Sequence, residues 1–160
     1  MATTADAVRA IRHVVQEHGD DGTSLGRPAD PESIQWFGQL LGWTWPPSYL
    51  EVLAKHDGVI VRDAIVLSFL KSIESFLIFR DRWRQPDRYW PVGEDGCGNY
   101  FVLVLGQRDA EGECSVGFID TMENANQPQS QSAANYASFV VEKMREQCMD
   151  CECTELSQQE

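Results

Sequence analysis

The 160-residue chain has no apolar run near the roughly 18 residues that a membrane-spanning helix needs. Its opening, Met1-Ala2-Thr3-Thr4-Ala5-Asp6, has neither a basic start nor an apolar stretch, so no secretory leader is expected. Both absences make the cytoplasm the expected location. Histidine is scarce, with His13, His18 and His56 making up the whole supply. Positive charge is also short: 13 Lys and Arg face 25 Asp and Glu, for a formal net charge of −12. Such a field repels nucleic acid and anionic lipid and attracts basic partners, although acidity also serves plain solubility. The five cysteines are an odd number, and three crowd together as Cys148, Cys151 and Cys153. A secreted disulfide framework normally shows an even, dispersed set, so reduced thiols are expected. No internal repeat is visible.

The composition, 42% hydrophobic and 24% charged, is that of an ordinary globular protein, and the length suits one domain with a real core. Residues 4–18 have Val8, Ile11 and Val15 at helical spacing with Ala7 and Val14 beside them, and Gly19 as a stop. Residues 19–30 read as a loop. Asp30-Pro31 gives an N-cap and a first-turn proline for a second helix with the stripe Ile34, Phe37, Leu40 and Leu41, ending at Gly42. A third helix starts at Pro46-Pro47 and buries Tyr49, Leu50 and Leu53. Val59–Val61 and Ile65–Leu67 flank Arg62-Asp63 as a hairpin or bent strand. Residues 72–84 read as helix on length. Tyr89–Val92, Asn99–Leu105 and Cys114–Ile119, separated by glycine-containing turns, read as an antiparallel meander. The middle strand is apolar on both faces, Tyr100, Val102 and Val104 on one and Phe101, Leu103 and Leu105 on the other, so it should be covered twice. A polar loop, 121–131, precedes a last helix carrying Ala134, Ala137, Phe139, Val140 and Met144. The tail, 148–160, is expected to be disordered. The fold class expected is α+β, with N-terminal helices and a C-terminal helix packed on a mostly antiparallel sheet with a central meander.

Catalytic chemistry finds little support. Gly93, Gly96 and Gly98 lie between two strands beside Glu94 and Asp95, whereas a phosphate cradle needs a strand, a loop and then a helix N-terminus. They read as turn glycines. His13 and His18 are five apart on a helix and do not share a face for a metal. His56 has no local signature pairing it with Cys97 or Cys114, which read as a turn residue and a buried strand residue. Cys148-x-x-Cys151-x-Cys153 brings three thiols, but a closed zinc site wants four ligands and no further pair is spaced to complete it. No metal, no cofactor and no enzymatic activity are therefore expected.

One stretch carries a resemblance: Leu41-Gly42-Trp43-Thr44-Trp45-Pro46-Pro47-Ser48-Tyr49-Leu50, running on to Asp57-Gly58. It resembles the opening signature of the SUKH superfamily, in which a helix ends near Leu-Gly and a proline pair starts the next. The likeness continues in order through Tyr89-Trp90-Pro91-Val92, Gly96-Cys97-Gly98-Asn99-Tyr100-Phe101, Ser115-Val116-Gly117-Phe118-Ile119-Asp120 and Ala134 to Phe139-Val140. It covers residues 32–146, within a single domain 1–147. Trp45 stands where the family usually has Leu, Asn99 where Asp is common, and Val59 follows Asp57-Gly58 in place of a second glycine.

The resemblance implies a non-catalytic protein-binding domain. Bacterial members look like immunity proteins that neutralise cognate polymorphic toxins, and fungal relatives are cell-wall regulators acting as interaction scaffolds. Many such toxins are nucleases with basic clefts, which an acidic surface would meet quickly. Residues 94–123 carry seven carboxylates against Arg108. The partner-binding candidates are accordingly Glu94, Asp95, Asn99, Asp109, Glu111, Glu113, Asp120 and Glu123. Trp43 and Trp90, if exposed, would serve as anchors, with burial in the core as the alternative. A small hydrolase remains a third reading and needs a carboxyl of raised pKa in a cleft.

Overall fold

The computed structural model describes residues 1–19, 22–83 and 88–148. Each helix has a local cause. Helix α1 (Thr4–His18) opens on a capping box between Thr3 and Asp6, and its buried stripe is Ala7, Ala10, Ile11 and Val14. Helix α2 (Pro31–Leu41) is capped by Asp30, whose carboxylate accepts from Glu32 and Ser33 N–H, and ends on Gly42 at φ 71°. Helix α3 (Pro47–Leu53) begins with a proline that has no N–H to satisfy. Helix α4 (Phe69–Ile78) is capped by Ser68 and runs into a π-helical turn, Phe79–Trp83. A short helix α5 (Thr121–Asn124) follows Asp120, and α6 (Tyr136–Glu146) follows its N-cap Asn135.

Seven strands form one antiparallel sheet in chain order: β1 (Thr23–Leu25), β2 (Val59–Val61), β3 (Ala64–Val66), β4 (Tyr89–Glu94), β5 (Tyr100–Arg108), β6 (Cys114–Ile119) and β7 (Ser130–Ala133). The α+β class and the central meander are as expected. The strand β5 is buried on both faces. Phe101, Leu103 and Leu105 join the main core under the helices, while Val102 packs with Tyr89 and Ile119 on the other side. Phe79, from the π-helical turn, covers that second face, its ring centroid 4.6 Å from that of Tyr100.

The centre of the main core is aromatic. Trp90 is fully buried, and its indole meets Trp45 at 4.8 Å, Phe76 at 5.4 Å, Phe37 and Phe69 at 5.7 Å and Trp43 at 5.9 Å between centroids. Tilted and edge-on contacts of this kind add about 0.5–1.5 kcal/mol each beyond area burial. Two indole N–H groups are satisfied inside: Trp90 donates to the Tyr49 hydroxyl at 2.8 Å, and Trp45 donates to the Ile34 carbonyl at 2.9 Å. Trp90 is therefore a core residue and not an anchor, and Trp43, partly buried, packs against the same core. Trp45 both fills the centre and holds α2 by that bond.

Several expectations need correction. The segment 19–30 is not all loop, because Thr23–Leu25 pairs with β2 as an edge strand. The segment 121–131 contains α5 and the start of β7. Ala134 precedes the last helix and is exposed. Leu40 is 63% exposed, and Ile34 and Gly38 are what α2 buries. Leu50 is also exposed, with Val52 and Leu53 packing in its place. In both short helices, apolar residues outnumber the positions that face the core. Gly93 is not a turn glycine but a strand residue at a bulge, where a Cβ would lie 2.6 Å from Phe139 Cζ. The expectation for the tail beyond Cys148 lies outside the described residues.

Candidate functional site

A meander turns alternately at its two ends, and that decides how the eight candidates group. The β4–β5 turn and the β6–α5 junction meet at one end, where Tyr100 pairs with Ile119. The β5–β6 turn sits at the far end of β5, roughly 26 Å away at the ordinary rise per strand residue. The structure therefore brings Glu94, Asp95, Asn99, Asp120 and Glu123 together and places Asp109, Glu111 and Glu113 apart from them.

At the first end most polar groups hold the turn itself. Asp95 accepts from Cys97 N–H at 2.7 Å, Asn99 N–H at 3.1 Å and Asn99 Nδ2 at 2.8 Å. Partial burial pushes its pKa up, but these donors outweigh that and hold it below the ordinary carboxylate value. Asn99 Oδ1 accepts from Thr121 N–H at 3.1 Å, so this one amide ties the glycine turn to the start of α5. An aspartate at position 99 could not donate to Asp95 and accept from Thr121 as well. Asp120 caps α5 through Met122 and Glu123 N–H. Glu94 is half-buried at the end of β4. Burial raises its pKa and Asp95 raises it further, against the opposing pull of Lys71. Glu123 is exposed, and beside it Met122 is 92% exposed.

The far end is more committed to structure. Asp109 accepts from Glu111 N–H and Glu113 N–H and so fixes its own turn. Glu113 reaches α3, accepting from Ser48 N–H at 2.8 Å and Ser48 Oγ at 2.7 Å. Arg108 donates to the carbonyls of Gly112 and Thr44. Glu111 is exposed at the tip of the turn.

No cysteine beside a histidine base stands out as an activated nucleophile among the described residues. Cys114 is buried, which pushes its thiol pKa up, the reverse of an activated nucleophile. Cys97 is exposed in the β4–β5 turn. His56 is driven toward its neutral form by burial and then by Arg12. His13 and Glu17, four apart on α1, do lie beside Cys148 with ligand atoms within 4.8 Å of one another. Cys148 is disulfide-bonded, so its sulfur is no thiolate, and among the described residues the group has three members, short of the four ligands of a closed site. The expectation of reduced thiols therefore fails at Cys148, while Cys97 and Cys114 carry free thiols and Cys151 and Cys153 lie outside the described residues.

Sequence reasoning missed a second feature. Between α2 and α4 lies an open groove of about 730 Å³, walled by Trp36, Phe37, Phe69, Leu70 and Ile73, with Asp30, Glu32 and Asp57 among its polar lining. The signal was the presence of more apolar residues in α2 than one buried stripe can use.

Helices opened by a proline pair, an antiparallel meander with its glycine turn, and a closing helix now stand in one chain. The SMI1/KNR4 family (SUKH-1) matches residues 28–142. The chain belongs to that family. Comparison with curated proteins returns no match. The SUKH match starts just before α2 and ends inside α6, so α1 lies outside it. No helix among the described residues is long and apolar enough to cross a membrane.

Proposed function

We propose that this SUKH domain is a non-catalytic protein-binding domain that acts as an immunity protein, neutralising a cognate toxin domain with a basic surface such as that of a nuclease. Membership of the family supports a binding role of immunity or regulatory type. The observation that carries the reading is the acidic end of the sheet, where Glu94, Asp95, Asp120 and Glu123 surround Asn99 and an exposed Met122. Its aspartates are used up in capping, but their charge still contributes to the field. Glu94, Glu123 and Met122 supply the side chains for direct contact. Of the two acidic ends this is the better candidate, because at the other Asp109 and Glu113 are bound internally and Glu111 is left as the exposed carboxylate.

On this reading the domain spans 1–147, works in the cytoplasm, and uses no cofactor, nucleic acid or membrane. The test is co-purification of the tagged chain from its native host, followed by association kinetics with the protein recovered. Glu94→Lys and Glu123→Lys together should slow association several-fold at low salt, since charge complementarity acts mainly on the on-rate. Unchanged kinetics in that double variant refute the interface, and a partner without a basic surface refutes the toxin reading.

The alternative is a regulatory scaffold on the same fold, which a partner of metabolic or envelope function would reveal. A hydrolase is the third reading, and Asp57 is the feature in its favour: it lines the α2–α4 groove and burial raises its pKa. A hydrolase needs a second group coupled to the first. Asp30, the nearest analogue, is held below its ordinary pKa by Ser33 first of all, and neither carboxylate perturbs the other. Ser33 donates its hydroxyl to Asp30, but that carboxylate is committed to the α2 cap through Glu32 and Ser33 N–H, and its lowered pKa makes it a weak base.

A further inference from the structure

Two helices present apolar side chains to each other across an open space. On α2, Trp36 and Leu40 are 62% and 63% exposed and stand four apart. On α4, Leu70 is 63% exposed, and Ile73 and Leu77 follow it at spacings of three and four along the same face. Phe37 and Phe69 close the floor, meeting edge-on at 6.1 Å between centroids. Scattered exposed leucines need no explanation, but a contiguous apolar groove between two helices does. Its volume of about 730 Å³ is enough for several side chains.

The polar lining is of one sign. Asp30, Glu32 and Asp57 are its charged members among the described residues. Asp57 is half-buried, with Oδ1 accepting from Phe69 N–H at 2.6 Å. Burial is the leading influence on its pKa and raises it, against the Phe69 N–H, which lowers it. A partly desolvated carboxylate set in apolar walls suits a cationic head on an aliphatic stem, and the Trp36 indole lining the same groove offers a further cation-binding face.

We propose that the α2–α4 groove is a docking site for an amphipathic helix of a protein partner, one that seats an apolar ridge against Trp36, Leu70 and Ile73 and places a lysine or arginine at Asp57. A helix fits better than a strand because both walls carry their apolar groups at helical spacing, as ridges that take a third ridge between them. The acidic lining selects a basic helix and rejects an acidic one. The groove stands on its own residues and does not rest on the toxin reading.

The test uses the full chain and an 18-residue synthetic helix with leucines on one face and lysines elsewhere. In 15N NMR titration, shifts should concentrate on α2, α4 and the Trp36 indole N–H. Replacing both Trp36 and Leu70 by Ala should weaken binding at least tenfold; both are largely exposed, so the fold should tolerate the change. Asp57→Asn should weaken it about threefold or more, and the same helix with Glu in place of Lys should not bind. Three results overturn the proposal: shifts centred on the acidic turns, equal binding of a scrambled Leu/Lys peptide, or no loss in the Trp36/Leu70 variant. Concentration-dependent dimerisation that the same variant abolishes overturns it too, because the occupant is then a second copy of the chain.

Discussion

Replacing Glu113 with Ala tests whether a carboxylate counted on the acidic surface in fact serves the fold. Helix α3 starts at Pro47 after Pro46, and neither residue offers a capping side chain. Ser48 N–H is thus the first amide needing a partner, and Ser48 is buried. Glu113 supplies the cap from across the chain, taking both Ser48 N–H at 2.8 Å and Ser48 Oγ at 2.7 Å. Loss of an N-cap costs about 1 kcal/mol, and a hydrogen bond to a charged group contributes about 1.5–3 kcal/mol. The two figures overlap, and Glu113 is partly exposed, so Glu113→Ala should cost about 2 kcal/mol. For a domain of this size that lowers Tm by about 4–8 °C. Glu113→Gln keeps one acceptor and should lose about half as much. Urea denaturation of Glu113→Ala, Ser48→Ala and the double variant gives the coupling directly, expected at about 1 kcal/mol. A loss below about 0.5 kcal/mol with an unchanged m value would refute the capping argument.

Gly93→Ala should destabilise by about 1–3 kcal/mol in the same denaturation assay, because the new Cβ meets Phe139 Cζ at 2.6 Å and the Ile65 carbonyl at 3.1 Å. Asn99→Asp should destabilise near neutral pH, since it sets a second carboxylate against Asp95 in place of a donor at 2.8 Å. Asp95 has a lowered folded pKa, so its contribution is present above the unfolded value of 3.8 and fades as pH falls through the folded one. The gap between wild type and Asn99→Asp should therefore narrow below about pH 4. Asp57 runs the other way: its folded pKa is raised, so ionising it costs stability as pH rises through the window just above 3.8. Asp57→Asn keeps an acceptor for Phe69 N–H and should be neutral or stabilising at pH 7, and a clear loss in thermal denaturation there would sink that reasoning.

The elements were legible where one local signal decided them. Asp30-Pro31 with Gly42 marked both ends of α2, and the glycine turns marked the meander. What stayed hidden depended on partners distant in sequence. Thr23–Leu25 has no alternation of its own and is a strand because β2 offers it an edge. Helical spacing tells that α2 exists but not which of two apolar stripes faces the core, and both Leu40 and Trp36 prove exposed. The aromatic centre was half-legible: Tyr49 and Leu53 as core residues followed from spacing, whereas the convergence of five rings on Trp90 required the sheet. The candidate site shows the same limit. Counting charge along 94–123 treats neighbours in sequence as neighbours in space, and successive turns of a meander fall at opposite ends.

Side-chain length sorts the carboxylates further. Asp30, Asp95, Asp109 and Asp120 are short, and each is bent back onto N–H groups two to four residues ahead. Glutamates are too long for that local geometry. Glu113 instead spans to another element, while Glu111 and Glu123 extend into solvent. Capping removes a carboxylate from direct contact but leaves its charge in place, so on the proposed reading steering and contact fall to different residues of the same patch. An acidic partner-binding surface on this fold can therefore be tuned in two ways. Changes at the glutamates alter what it touches, and changes at the aspartates alter the turns that hold it, which is why a charge count alone overstates how many of these residues a partner can meet.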